Sequence, residues 1–435
     1  MIERENLSLY GELRSIYRYL KTKEGRQEGC PVLWVLASAF LVAMLPISVY
    51  QLKCAFFIGT YSINYLELLM PFLMLPALMR VKKNRLMLGF FFIFVVLGLV
   101  TAPLAVKSPL NALIVGAYTG LPFLYISCIQ FTPFQKDLLK WGALALCLGL
   151  GLQVLIYGLG FKSYVSDYSG ESLGVVGAVS RVGSTVGAAT GTAVYIFISA
   201  VFSGVLFVRR PLVFWAILIF AAITILISQS RGSLLMIVLF TAALGLPLLK
   251  ESTSRGGGFI LRVVLLVCAL CSAGGFLYFR PDVVEQWRKR VDYFRGDAFD
   301  DAGRGYRFAM AYETFKDSNG FGVGLGNYSA RKKIMPFGAD VVGISSPHNV
   351  YLLLLAETGV IGLISYLMLI GGVLLRAFKA GRHMVLVGLL IILFIGHNVE
   401  YVYLHSPFLW VFALLLAYAC HSGPESGRPP ETLRR

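Results

Sequence analysis

Arg231 is the first residue of this sequence whose surroundings indicate chemistry. It lies in the polar hairpin 228–233, Ser-Gln-Ser-Arg-Gly-Ser, and no other charged residue occurs between Arg210 and Lys250. An arginine between apolar segments is costly, which makes it a functional candidate. The free backbone N–H groups that open the following helix suit a phosphate group. Arg231 is therefore predicted to bind phosphate; the alternative is an interfacial anchor whose guanidinium reaches the aqueous edge of a membrane.

His348 is predicted to lie at the start of a helix. In the sequence Ser345-Ser346-Pro347-His348-Asn349, Ser346 is the expected N-cap and Pro347 suits the first helical position. The positive end of a helix dipole disfavours an imidazolium, so the ring would stay neutral and able to accept a proton. His348 is therefore the candidate general base. The alternative is an interfacial histidine that is hydrogen-bonded to a neighbour.

A further helix is predicted to begin near Asp301, which would be its N-cap. At about 100° per residue, Arg304 falls on the centre of the apolar stripe of this helix, and Arg307 lies about 60° to one side. Arg304 is therefore expected to point toward protein or membrane, whereas Arg307 could equally be solvated. The stripe consists of Phe308, Ala311, Tyr312 and Phe315.

Other polar residues on the same predicted side of the chain are weaker candidates. Arg181, in the sequence Arg181-Val-Gly-Ser-Thr, is explained equally well as an interfacial anchor. The glycine-rich segment 320–328 is not a G-x-G-x-x-G motif and follows a helix, so a flexible turn is predicted rather than a dinucleotide site. Direct roles are less expected for His397, Asn398, Glu400 and His405.

The elements that must position these residues are predicted to be membrane helices. Of the 435 residues, 57% are hydrophobic and 14% are charged, whereas soluble domains carry about a quarter of charged residues. The apolar residues form blocks of about twenty, which is long enough for a helix to cross a bilayer. We therefore predict an all-α polytopic membrane protein with about twelve transmembrane helices. The predicted spans are 31–49, 55–79, 86–104, 109–130, 138–160, 184–208, 211–227, 232–249, 258–279, 347–375, 383–398 and 404–420.

The basic residues orient these helices. Short loops at alternate connections are basic, and the positive-inside rule assigns them and both tails to the cytoplasm. The candidate residues then share the opposite, periplasmic side of a bacterial inner membrane. The predicted order is a cytoplasmic tail (1–30), spans one to nine (31–279), a large periplasmic loop (280–346), spans ten to twelve (347–420) and a second cytoplasmic tail (421–435).

The net charge and the distribution of cysteines and histidines limit the classes of partner and cofactor that are expected. The net charge of +16 comes from basic residues that cluster at the ends of spans, so no nucleic-acid partner is expected. The seven cysteines are scattered, and the pair Cys268 and Cys271 lies inside an apolar run. The five histidines lack ligand spacing, so no metal and no cofactor are predicted. Arginines bind phosphate, and nucleotides are not available in the periplasm, so a phosphorylated donor there would arrive attached to a lipid.

Several motifs of the sequence resemble those of the bacterial O-antigen ligase/polymerase superfamily. They occur in order between residues 228 and 359, and the predicted number of spans and the large outer loop agree with the same superfamily. The motifs are Ser228–Gly232, Gly303-Arg304, Phe315–Asp317, Gly322–Tyr328, Ser346–Tyr351 and Leu355–Gly359.

The resemblance implies a GT-C-like membrane glycosyltransferase that needs no metal. An O-antigen ligase would transfer the O-antigen glycan from undecaprenyl pyrophosphate to a hydroxyl of the lipid A–core oligosaccharide, with inversion, completing lipopolysaccharide. The expected partners are this lipid-linked donor, the lipid A–core acceptor and membrane lipids.

The resemblance also implies roles for the candidate residues. His348 would be catalytic, deprotonating or orienting the acceptor hydroxyl. The pyrophosphate would be bound by Arg231 and Arg304, with Arg181 and Arg307 assisting. The supporting residues would be Ser230, Gly324, Asn349 and Glu357.

Three alternatives stay open. O-antigen polymerases and protein O-oligosaccharyltransferases of the same superfamily share the donor and these motifs. The ligase is favoured because its glycine-rich turn and its His-Asn helix start are matched closely, and because no further soluble region is expected after Cys420. A transporter of the same lipid-linked glycan would be expected to show internal repeats and midplane charges, for which Glu67 is the main candidate.

Overall fold

The computed structural model describes the chain in separate stretches. The continuous described ranges are 56–58, 61–63, 85–105, 109–127, 133–158, 189–207, 211–228, 230–252, 304–328, 347–399 and 406–420, and Arg18 and Thr22 are described singly. Arg181, the predicted spans 31–49 and 258–279, and most of the predicted outer loop lie outside these ranges.

A small β-hairpin is the first described element. β1 (Phe56–Ile58) pairs antiparallel with β2 (Tyr61–Ile63), and Phe57 lies opposite Ser62. These residues stand at the start of the predicted span 55–79, so the prediction of a helix from residue 55 is wrong there. Composition gives the reason, because aromatic and β-branched side chains favour strands, and a glycine among the two intervening residues suits a tight hairpin.

Helices make up the other described elements, as predicted for an all-α membrane protein. The first half contains five of these helices, and three of them begin at a proline, whose fixed φ and missing N–H suit the first helical position. The five are α1 (Arg85–Thr101), α2 (Pro109–Ser127), α3 (Pro133–Gly158), α4 (Ala189–Leu206) and α5 (Pro211–Ile227).

The second half continues the helical pattern, with an irregular stretch near its end. A π-helical segment (Ile392–Gly396) connects two of its helices. The helices are α6 (Arg231–Ser252), α7 (Arg304–Asp317), α8 (Val350–Lys379), α9 (His383–Ile391), α10 (His397–Val399) and α11 (Ser406–Cys420).

Two of the described helices are long and apolar enough to cross a bilayer: α8, and α1 together with the 3₁₀ turn that extends it (Ala102–Leu104). Seven further helices contain apolar stretches of 10–17 residues within the described part. Three of these helices, α2, α3 and α6, are themselves 19, 26 and 22 residues long, close to or above the roughly twenty residues that a full span needs. The apolar, helical character thus agrees with a helical membrane protein, and the count of twelve spans stays a prediction.

The core is built around α4. Its residues 192–205 are all buried, and a helix that is hydrophobic on every side is expected to be enclosed by others. It packs against α3, α5, α6, α9 and α11. The two halves of the described chain therefore share one helical core.

α1 and α2 cross at a pair of glycines. A Cβ atom on Gly98 would lie 2.8 Å from Ala112 O, and one on Gly116 would lie 2.6 Å from Phe94 O. Small residues of this kind let helix backbones approach closely in membrane proteins. Gly98 lies three residues before the end of α1 at Thr101, so the crossing is close to that end.

Gly116→Ala is expected to lower the unfolding temperature of the purified protein in detergent, measured by tryptophan fluorescence. The added methyl group would press on the carbonyl of Phe94, and overpacking of this kind costs about 1–3 kcal/mol. Gly371→Ala is the matched control, because a Cβ atom there meets nothing within 4 Å. Equal unfolding temperatures for the two variants would contradict the close crossing.

Candidate functional site

Asn349 caps α8. Its side chain accepts a hydrogen bond from Leu352 N at 2.9 Å, and its backbone oxygen accepts one from Leu353 N at 3.0 Å. The prediction of Ser346 as the cap and Pro347 as the first helical residue is therefore wrong. Asparagine caps a helix as well as serine does, so the choice between the two positions depends on the conformation of the residues between them.

His348 explains why the helix starts no earlier. Its φ is 50°, a left-handed conformation that costs roughly 1–2 kcal/mol for an L-residue and that Asn, Asp and His adopt most readily. The residue is half-buried and directly precedes the cap, so its predicted position at the N-terminal end of α8 is confirmed. Non-glycine residues held in this conformation cluster at active sites.

The π-helical segment after α9 holds the first turn of α8. Asn349 Nδ2 donates to Asn398 Oδ1 at 2.8 Å, and the Tyr351 hydroxyl donates to Leu393 O at 2.8 Å. A π-helical turn departs from the regular α-helical hydrogen-bond ladder, and such turns occur frequently at functional sites. The start of α8 is thus fixed at two points, on either side of its first residue.

His397, the first residue of α10, has a structural position directly after this segment. It is buried, and its Nδ1 lies 3.1 Å from Ile392 O while its Nε2 lies 2.7 Å from the Tyr366 hydroxyl. Because a carbonyl only accepts, Nδ1 carries the proton, and Tyr366 donates to Nε2. Both ring nitrogens of His397 are therefore engaged inside the helix bundle, where they stabilise the π-helical segment.

α8 is broken at Gly359, whose φ is 67° and ψ is −167°. A break in a helix leaves backbone groups on both sides without their helical partners. The glycine-rich turn after α7 supplies new partners: Val323 N donates to Ala356 O at 3.0 Å, and Gly324 N donates to Glu357 O at 2.9 Å. The predicted supporting residue Gly324 is thus part of the contact that satisfies the break.

Glycines at alternate positions give this turn its path. The four glycines of the turn, residues 318–328, have φ between 69° and 92°, a conformation that glycine adopts without steric cost. A Cβ atom on Gly322 would lie 2.5 Å from the carbonyl of Glu357. The predicted turn is confirmed, and close packing against α8 replaces the flexibility expected from its glycines.

Glu357 anchors the end of the same turn. Its buried carboxylate accepts hydrogen bonds from Tyr328 N, at 3.2 Å, and from Gly326 N. Leu325 N donates to Thr101 Oγ1 at 3.3 Å, which connects the turn to the end of α1. Glu357 therefore holds the backbone of the turn at Gly326 and Tyr328; its predicted supporting role in a reaction stays a prediction.

α7 runs parallel to the first half of α8. Just beyond the C-terminus of α7, Gly320 O accepts a hydrogen bond from Val360 N at 3.2 Å. Further back along α7, Ala311 lies in one buried cluster with Leu353. Both helices rise 1.5 Å per residue, so the N-terminal end of α7 comes alongside the end of α8 at which His348 lies.

Arg307 lies on the buried face of α7. It has the i, i+3, i+4, i+7 relation to the three buried residues of this helix, and it is itself half-buried. Tyr312, a member of the predicted packed stripe, is 49% exposed. The prediction that the packed face centres on Arg304 is therefore wrong, and by helical position Arg304 lies to one side of that face. The three buried residues are Met310, Ala311 and Thr314.

Ser230 caps α6, and Arg231 is its first residue. Ser230 O accepts a hydrogen bond from Leu234 N at 2.9 Å, and the Ser230 hydroxyl donates to Ser233 Oγ at 3.0 Å. The helix start predicted at this hairpin is confirmed. The backbone N–H groups of the first turn point out of the N-terminus, as an anion-binding role would require.

The predicted phosphate ligands are only partly described. The backbones of Arg231 and Arg304 are given, their side chains lie outside the described part, and so does all of Arg181. α6 packs against α9 and the π-helical segment, so the helices that start near Arg231 and near His348 share a neighbour. Within the described ranges, no three His, Cys, Asp or Glu side chains are grouped closely enough to hold a metal ion.

Sequence reasoning missed the roles of Tyr351 and Asn398. Their hydrogen-bond partners lie 42 and 49 residues away in the chain, so no local spacing marks them. The one signal in the sequence was position: Tyr351 is at the start of one predicted span and Asn398 is at the end of another, and both ends are on the same predicted side of the membrane.

A comparison with known families gives a match, which covers part of this site. Residues 216–367 match the family model described as O-antigen ligase, which confirms the resemblance over about a third of the chain. The match begins in α5 and ends in α8, so it includes Arg231, α7, the glycine-rich turn and His348. No curated protein matches the chain.

Gly322→Ala is expected to lower the unfolding temperature in detergent much more than Gly381→Ala. Both glycines have positive φ, 84° and 69°, so both variants carry the strain of about 1–2 kcal/mol for an L-residue. Only the methyl group at Gly322 would meet the Glu357 carbonyl, whereas that at Gly381 meets nothing within 4 Å. Equal losses in the two variants would show that the turn does not press on α8.

Proposed function

We propose that this chain, whose residues 216–367 match the O-antigen ligase family, is a membrane glycosyltransferase with a lipid-linked pyrophosphate donor. The observation that carries the proposal is that the N-terminal end of α7 lies alongside the end of α8 that contains His348. His348 has a left-handed conformation, and Arg307 lies on the buried face of α7. An imidazole beside guanidinium groups supplies a proton acceptor and an anion-binding site. Transfer of a sugar from a pyrophosphate requires both.

In the proposed reaction, His348 accepts the proton of the acceptor hydroxyl while the hydroxyl oxygen attacks the anomeric carbon of the donor sugar. The bond between that carbon and the pyrophosphate oxygen breaks, and its electron pair leaves with the lipid pyrophosphate. Attack from the opposite side inverts the anomeric configuration. The imidazolium then releases its proton to solvent.

The arginines carry the charge of the leaving group in this mechanism. Arg231 begins α6 directly after its cap, so its guanidinium and the free N–H groups of the helix start can bind the same phosphate. Arg304 and Arg307 bind the pyrophosphate from α7, and Arg181 assists. Charge that develops on the departing oxygen is stabilised by these groups.

The specific reaction we propose is the ligase reaction. The O-antigen glycan moves from undecaprenyl pyrophosphate to a hydroxyl of lipid A–core in the periplasmic leaflet of a bacterial inner membrane. The family match and the order of the motifs support this choice. An O-antigen polymerase or a protein O-oligosaccharyltransferase would use the same donor and differ in the acceptor.

The way in which the helix ends meet supports a single reacting face. Leu325 joins the glycine-rich turn to Thr101 at the end of α1, and Asn349 at the start of α8 bonds Asn398 in α10. In the predicted topology all three helix ends face the periplasm. The basic residues Arg376 and Lys379 lie in the last turn of α8, and Arg382 directly precedes α9, so all three are at the opposite ends of these helices, as the positive-inside rule predicts.

Purified protein is expected to glycosylate lipid A–core when it is given undecaprenyl-pyrophosphate-linked O-antigen in detergent with EDTA and without nucleotide. Parallel reactions contain the donor alone or a pilin-type acceptor protein. Longer glycans on the carrier lipid would indicate a polymerase, and glycosylated protein an oligosaccharyltransferase. Failure to consume donor with any acceptor would contradict the glycosyltransferase proposal and favour a transporter.

His348→Asn is expected to lower kcat by about 100-fold or more, because a general base contributes about 10²- to 10⁴-fold. Asparagine tolerates the left-handed conformation, so the unfolding temperature should stay that of the unchanged protein. His383→Asn, at an exposed histidine that begins α9, is the control and should retain full activity. Near-normal turnover in His348→Asn would remove His348 from the mechanism.

A further inference from the structure

We propose that Asn398 is a positioning residue that holds His348 in place through Asn349. The inference rests on the proposed function, because it concerns the placement of the proposed general base. Asn398 follows the π-helical segment and lies outside the residues matched to the O-antigen ligase family, 216–367. It reaches the start of α8 through one hydrogen bond of 2.8 Å, from Asn349 Nδ2 to Asn398 Oδ1.

The amide of Asn398 is oriented by its own helix. Its Nδ2 donates to Phe394 O at 2.7 Å, and a carboxamide has one oxygen and one nitrogen end. With the nitrogen committed to a carbonyl, the oxygen faces α8 as an acceptor. Asn398 therefore selects a donor at position 349, and Asn349 supplies one.

The π-helical segment makes this orientation possible. An irregular helix turn offers carbonyl groups to partners outside the regular ladder, and here consecutive carbonyls accept side-chain hydrogen bonds. The segment thus ties together its own C-terminal end and the first turn of α8. The three pairs are Ile392 O with His397 Nδ1, Leu393 O with the Tyr351 hydroxyl, and Phe394 O with Asn398 Nδ2.

The side chain of Asn349 makes two hydrogen bonds through different atoms, so a substitution can remove one and keep the other. Its Oδ1 accepts from Leu352 N and caps α8, whereas its Nδ2 donates to Asn398. Serine or aspartate could make the cap, but only an amide makes both bonds from one side chain. The second bond is therefore what asparagine adds at this position.

The bond to Asn398 bears on catalysis because Asn349 directly follows His348. The peptide between them sets the direction of the His348 side chain, whose backbone is already in a left-handed conformation. A shift of about 1 Å in a reacting group can cost up to about 100-fold in rate. Loss of the bond is therefore expected to affect turnover more than substrate binding.

The test is a double-mutant cycle with Asn349→Ser and Asn398→Ala. Serine keeps the cap but is too short to reach Asn398, and Asn398→Ala removes the same bond from the other side. Each single variant is expected to lower kcat about 10-fold or more, with the KM for donor changed less than about twofold. The double variant is expected to be no slower than the worse single variant, since one shared bond is lost only once.

Several outcomes would overturn the proposal. Losses that multiply in the double variant would show that the two residues act independently. A raised KM with unchanged kcat would show a binding role. Thr224→Val is the control for removing a buried polar group, because the Thr224 hydroxyl bonds only Phe220 O and Ala221 O of its own helix among the described contacts, both at 3.0 Å; it should leave kcat unchanged.

Hydrogen exchange separates this proposal from the proposed function. The amide protons of residues 348–350 are expected to exchange faster in both single variants, and no faster still in the double variant. This readout needs no activity, so absence of transfer by the unaltered protein would count against the glycosyltransferase alone. Unaltered exchange at 348–350 in Asn398→Ala would overturn the positioning role, whatever the activity.

Discussion

The break in α8 at Gly359 is the constraint on which the arrangement of the site depends. Backbone groups in an apolar setting cost several kcal/mol each when they lack a partner, so a broken helix needs a second segment to bond its free groups. The glycine-rich turn is that segment, and it reaches Ala356 and Glu357 by its backbone. Because the turn follows α7 directly, satisfying the break also places α7 along the first half of α8.

A second irregularity lies on the other side of His348. The π-helical segment exposes carbonyl groups that accept hydrogen bonds from Tyr351 and Asn398. His348 therefore stands between two departures from regular helix, each satisfied by groups from elsewhere in the chain. Irregular backbone in a membrane protein is tolerated where protein groups satisfy it, and here protein groups satisfy both irregularities.

What the sequence predicted well was local. Apolar length predicted the helices, the order Ser-Gln-Ser-Arg predicted the start of α6, and the alternating glycines predicted the turn. The cap of α8 could not be predicted, because Ser346 and Asn349 are equally good caps and the bond that favours Asn349 comes from Asn398, 49 residues away. The hairpin at 56–63 was missed because the prediction used only the length of the apolar run, and a run long enough to cross a bilayer was taken as a helix.

The face of α7 shows the same limit and has a consequence for the donor site. Two overlapping stripes exist on this helix, one in line with Arg304 and one with Arg307, and contact with α8 selects the second. Residues three apart on a helix are neighbours, with about 5–6 Å between their Cβ atoms. Arg304 and Arg307 are therefore neighbours along α7, and both belong to the proposed pyrophosphate site. Placing the centre of the packed face at Arg307 adds a half-buried residue to the proposed donor site, and the turn that bonds α8 sets the position of α7 relative to that helix.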